Sequence, residues 1–181
     1  PARRRLLPLE ALREQALDAA GSSGKIEESA RLHLIRCATR QASLQLEPCT
    51  AYLGLAKFAP RTEEETYHRF ISAQWDGLDA SRLPAQYRNF LASRDTATRL
   101  AALRLMEDPL SRLIAIALSV QRKEADEAML TLAAETASEH GWRKPLLVYL
   151  KLLEQRAQSR NDIKETGKLQ ARIKLVEDSV H

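Results

Sequence analysis

The chain has 181 residues, 44% of them hydrophobic and 29% charged, an ordinary globular balance that can bury a real core in one domain or two small ones. Its formal charge of +4, from 28 basic and 24 acidic side chains, permits weak attraction to anionic surfaces, but Arg and Lys are spread among acids along most of the chain. No run of about 18 apolar residues exists, so nothing in the sequence reads as a membrane span.

Gly is scarce at 6, Val, Ile and Thr are thin, and Leu, Ala, Arg, Glu and Gln dominate, which predicts helix throughout. Roughly ten helices and no strand are expected. The opening PARRRLLPLEALREQ has a basic start but no long apolar core and no small-residue cleavage site, so it does not read as a signal peptide. A start at Pro1 fits initiator-Met removal or a chain trimmed of a leader or anchor. Residues 1–7 read as a basic tail, and 8–181 as a single all-helical domain with 77–83 as the candidate division. Pro8 begins the first helix, which runs through LEALREQALDAA until GSSG, residues 21–24, stops it. The second starts near Lys25 with Ile26, Ala30, Leu34 and Cys37 on one stripe. Pro48 opens a third, with Cys49, Tyr52, Leu53 and Ala56 at helical spacing. Thr62 and Glu65 have the spacing of a capping box, and Glu63 and Glu64 suit a helix N-terminus. That fourth helix is expected to end around Trp75-Asp76-Gly77.

After a short irregular stretch, a fifth helix starts near Pro84 and carries Tyr87, Phe90 and Leu91. Asp95 caps a sixth, and Asp108-Pro109 restarts the chain. LSRLIAIALSV is apolar almost all round, which places it in the middle of the fold. The next helix closes at Gly141 as its C′ glycine. Pro145 begins PLLVYLKLLEQRAQ, and Asn161 or Asp162 caps the last helix, whose Leu169, Ile173, Val176 and Val180 form a stripe. Short connections predict stacked antiparallel helix hairpins. Pro48 to Pro84 and Pro109 to Pro145 both span 36 residues, close to one helix-turn-helix repeat. Trp142, Leu146 and Tyr149 loosely resemble the first helix of a tetratricopeptide unit without its Gly. This is a helical-repeat-like shape analogy, and no family is claimed.

Motifs for chemistry are thin. GSSGK at 21–25 lacks the spacing, the following Ser or Thr and the preceding strand of a phosphate loop. There is no Gly-x-Ser-x-Gly elbow, and His33, His68, His140 and His181 have no neighbour that marks a tuned base. Acid pairs such as Glu27-Glu28 stand in first helical turns, where they meet amides and the dipole. His33, Cys37, Cys49 and His68 make a poor zinc set because the second pair is 19 residues apart. No catalytic, metal or cofactor site is therefore expected.

Cys37 and Cys49 are the only cysteines. If the second helix runs to about residue 44, they are too far apart to bond; if it ends near 40, a bridge is feasible. Ala42, Leu44 and Leu46 slightly favour the longer helix. Buried thiols are the preferred reading and a disulfide the alternative. The cytoplasm is slightly favoured, with a periplasmic or secreted location expected if the pair is bridged.

The expected function is a non-catalytic protein–protein interaction or adaptor module, a soluble part of an assembly or a regulator, with an unnamed protein partner. Trp75 and Trp142, with Arg143 and Lys144, are the expected contacts, because interfaces favour Trp and Arg anchors. Against this, half-buried packing is the favoured reading of both tryptophans. The alternative is a binder of nucleic acid or another anionic surface, through Arg3-Arg4-Arg5 and scattered Arg and Lys.

Overall fold

The computed structural model describes residues 25–58 and 61–179. The basic tail of residues 1–7, the helix expected from Pro8, the GSSG stop, Val180 and His181 lie outside the described residues. The described part is all-helical, with nine α-helices and no strand. They are α1 (Lys25–Gln41), α2 (Thr50–Ala56), α3 (Thr62–Ile71), α4 (Ala85–Ala92), α5 (Thr96–Leu105), α6 (Pro109–Gln121), α7 (Glu127–Glu139), α8 (Arg143–Ser159) and α9 (Ile163–Asp178). A single 3-10 turn, Ala80–Arg82, precedes α4.

Aspartates start most of the later helices. Asp95, Asp108, Asp126 and Asp162 each accept a hydrogen bond from the backbone N–H three residues on. Each thereby satisfies one of the amide donors that a helix start leaves without a partner. Pro109 takes the first helical position after Asp108, where its missing N–H costs nothing. The box expected from Thr62 and Glu65 does not form. Arg61 is the cap residue of α3, it makes no side-chain cap bond, and Thr62 is already helical. The Thr62 sequence signal was one residue out of register.

Five of the nine helices described end in one pattern. Leu44, Ala73, Lys123, Gly141 and Asn161 all have left-handed φ between 55° and 65°. In each case the next residue's N–H donates back to the fifth residue before it, as Gln45 to Arg40, Gln74 to Arg69, Glu124 to Ser119, Trp142 to Ala137 and Asp162 to Ala157. This is the Schellman closure, which uses up carbonyls stranded at the helix end. Gly141 is the C′ glycine expected from sequence. Leu44, Ala73 and Lys123 carry side chains that the left-handed region disfavours, and only Gly141 and Asn161 are residue types that turn there readily. α3 accordingly stops at Ile71, four residues before Trp75.

α6 sits in the middle. Leu113 through Ser119 are all buried, and the helix packs against α1, α4, α5 and α7. Its all-round apolar sequence had no solvent face to supply. α7 lies along α8, and α8 along α9, a succession compatible with stacked hairpins. Leu113 and Tyr149, related by the same 36-residue offset as Pro109 and Pro145, touch directly: the Tyr149 hydroxyl donates to the Leu113 carbonyl at 3.3 Å. The last helix docks through Leu169 and Ile173, which are buried, and Val176, which packs against the core. One contiguous set of buried side chains runs from Ala30 to Ile173.

Candidate functional site

Trp75 is held rather than presented. It follows the left-handed turn at Ala73, and its indole N–H donates to the Phe70 carbonyl at 2.9 Å. Its ring stacks on Phe70 at 5.9 Å and meets Phe90 edge-on at 5.5 Å. The Arg122 guanidinium lies 4.5 Å from the indole centroid, a cation–π distance. Arg122 also donates to the Ala73 carbonyl and pairs with Glu124, which pairs in turn with Arg99. The half-buried Trp75 thus ties the end of α3 to α4 and to the end of α6.

Trp142, Arg143 and Lys144 form the turn into α8. Trp142 is half-buried, and its ring lies 5.0 Å from that of His140. His140 donates through Nδ1 to the Thr136 carbonyl. The Arg143 guanidinium donates to the Val176 carbonyl at 2.6 Å, closing the C-terminal end of α9. Lys144 is exposed. The structure therefore keeps the Trp142 corner together, whereas Trp75 packs separately against Arg122 at the end of α6.

Arg143 is one of several arginines used in this way. Arg112 donates to the carbonyls of Leu103 and Met106 at the end of α5 and to the Thr136 hydroxyl. Arg99 donates to the Ser93 carbonyl after α4, and Arg156 to that of Ala125. Guanidinium groups carry donors in a fixed fork, which suits stranded helix-end carbonyls. Four of the chain's 28 basic residues, Arg99, Arg112, Arg143 and Arg156, are engaged with backbone carbonyls in this way.

Cys37 and Cys49 are joined in a disulfide, with Cα atoms 5.8 Å apart. This replaces the preferred reading of two buried thiols. The reason is the helix end: α1 stops at Gln41, Leu44 turns left-handed, and the chain returns through Pro48 to Cys49, the cap residue of α2. Cys49 is 7% exposed and Cys37 is half-buried. A depression of about 220 Å³ opens over the bridge, with His33, Arg36, Arg40 and Glu47 on its walls. Arg40 and Glu47 form an ion pair.

His68, the other member of the discarded metal set, stacks 5.0 Å from Tyr52 and lies 3.4 Å from the Ser72 hydroxyl. Burial holds its pKa below the ordinary histidine value, against a smaller opposing pull from Glu65. Among the described residues no three His, Cys, Asp or Glu side chains come together as a metal site.

A second concavity has no counterpart among the sequence expectations. A groove of about 420 Å³ runs between α1, α3 and the turn before α4. Its floor is Leu34, Ile35, Tyr67, Leu83 and Pro84, and Arg31, Arg61 and Arg82 stand on its rim. Ile35 is 51% exposed. The three arginines are each paired internally, with Glu64 at 3.2 Å, Glu27 at 2.8 Å and Asp79 at 3.5 Å. Glu63 also lines the groove. The one sequence signal available was Leu32 and Ile35 lying off the buried Ile26–Ala30–Leu34 stripe of α1, on a face where a charged residue would otherwise stand. Comparison with known families, with characterised proteins and with solved structures finds no match for this chain.

Proposed function

We propose that the chain is a non-catalytic interaction module that binds a partner protein in the groove between α1, α3 and the turn before α4. The observation that carries this reading is the groove's composition: an apolar floor reaching the exposed Ile35, with three partly exposed guanidiniums around it. The fitting occupant is a short segment with one or two large apolar side chains and acidic residues beside them. Exposed ion pairs such as Arg82 with Asp79 are weak, so a partner's carboxylates can compete for the guanidiniums. Trp142 and Lys144, on the opposite end of the fold's chain order, remain a proposed second contact.

The alternative, binding of nucleic acid or another anionic surface through the tail of residues 1–7 and scattered Arg and Lys, has less in its favour. Arg99, Arg112, Arg143 and Arg156 all donate to backbone carbonyls, which leaves fewer cations to face phosphates. The bridge favours an oxidising compartment, periplasmic or extracellular.

Selection from a displayed peptide library tests the groove. The expected winners pair Leu, Phe or Trp with Asp and Glu. Ile35→Asp and Arg82→Glu should each weaken their binding by roughly tenfold or more, the scale of an interface anchor, with the melting temperature unchanged. Winners that are basic, or that bind both variants as well as the parent, would sink the assignment. Retention of RNA or DNA that falls steeply with salt would favour the alternative.

A further inference from the structure

The disulfide lies in a setting that goes beyond holding α1 to α2. Cys37 is the half-buried residue of the pair, whereas Cys49 is 7% exposed. Both sulfurs' residues line the same depression of about 220 Å³, large enough for a small thiol but not for a folded protein. On its walls stand Arg36, which is exposed, and Arg40, with Glu47 paired to Arg40. His33 lies one turn before Cys37 and Arg40 nearly one turn after it, so all of them share a helix face with the sulfur. Counting Arg36, Arg40 and Glu47, the walls carry one net positive charge.

From this arrangement we infer that the depression is a thiol–disulfide exchange site for a small anionic thiol, with Cys37 as the sulfur attacked. The incoming thiolate's electron pair forms a bond to Sγ of Cys37. The Cys37–Cys49 bond breaks, and its electron pair leaves on Sγ of Cys49, which takes a proton from solvent. One disulfide is exchanged for another, so this step needs no outside oxidant. A second small thiolate then attacks the adduct, releases a small-molecule disulfide and leaves two protein thiols. In each step negative charge is spread over three sulfurs in line. Arg36 and Arg40 flank the space where that charge develops, and the same charges draw an anionic thiol toward the bridge. The depression's size sets the upper bound on the reactant: a thiol of the dimensions of an ethyl chain with one anionic group, or the cysteinyl part of a short acidic peptide.

The test uses mercaptoethanesulfonate, 2-mercaptoethanol and 2-aminoethanethiol, which share an ethyl backbone and carry negative, zero and positive charge. Each rate of bridge opening is divided by the same thiol's rate with a small uncharged disulfide, which removes differences in thiolate fraction and nucleophilicity. The sulfonate should lead the neutral thiol by roughly threefold to tenfold, the scale of one net charge at short range in water, and the lead should shrink with salt. Arg36→Gln should narrow the order and Arg36→Glu should reverse it. Alkylation during the reaction followed by peptide mapping should find the adduct on Cys37 and the free thiol on Cys49. Equal normalised rates, a preference for the ammonium thiol, an adduct on Cys49, or two free thiols in the untreated protein would each overturn the inference.

Discussion

Lys123 shows how much single positions bear on this fold. It ends α6 in the left-handed conformation with φ 60°, and it is exposed. A side chain there costs about 1 kcal/mol relative to Gly, because Cβ crowds the following carbonyl. Lys123→Gly should therefore raise stability by about 1 kcal/mol, read as a higher denaturant midpoint with an unchanged slope. Gly141 is the reverse case. A Cβ would meet nothing within 4 Å there, so replacing it would cost only the backbone strain of φ +65°. The arginines are the second lesson at this scale. Arg122 serves Trp75, Ala73 and Glu124 at once. Nothing in the sequence around residue 122 announces those partners, since they come from segments 49 and 47 residues away and from the next turn.

Among elements, α2 is the one most dependent on a covalent tie. It is seven residues long, too short to persist alone, and it packs chiefly on α1. The bridge closes a loop of sequence separation 12. Opening it should cost about 2–3 kcal/mol through the restored freedom of the unfolded loop. Cys49→Ser should lower the melting temperature, and amides of residues 52–56 should exchange faster while those of α6 keep their protection. Uniform loss of protection across α2 and α6 would instead mean that the two unfold as one unit. Element starts were legible at Asp95, Asp108-Pro109 and Asp162, because a capping carboxylate acts within three residues. Element ends at Leu44 and Ala73 were not, because those side chains carry no preference for the left-handed turn that their neighbours impose.

Across the whole molecule, the tyrosines report on one core. All four, Tyr52, Tyr67, Tyr87 and Tyr149, have pKa values pushed above the ordinary phenol range, with burial as the main cause in each. The folded values exceed the unfolded value of 10.0, so this contribution to stability is complete below pH 10 and is lost as pH rises beyond it. Phenolate absorbance should stay absent from the native protein near pH 10 and then appear together with loss of helix. A separate, non-cooperative rise near pH 10 in a protein that keeps its helix would show these rings to be reachable by water. By itself the sequence determined the helical class, the central place of α6, the apolar stripe of α9 and the aspartate-capped starts at Asp95 and Asp108. Each of these follows from local propensity, from periodicity or from a bond spanning a few residues. Only the tertiary structure decided that Cys37 and Cys49 bond, that Trp75 is clasped by Arg122, and that Ile35 and Tyr67 share a groove with Arg82. Those three outcomes depend on where α1 and α3 stop and on which distant residues then meet, and neither leaves a periodic trace in the chain.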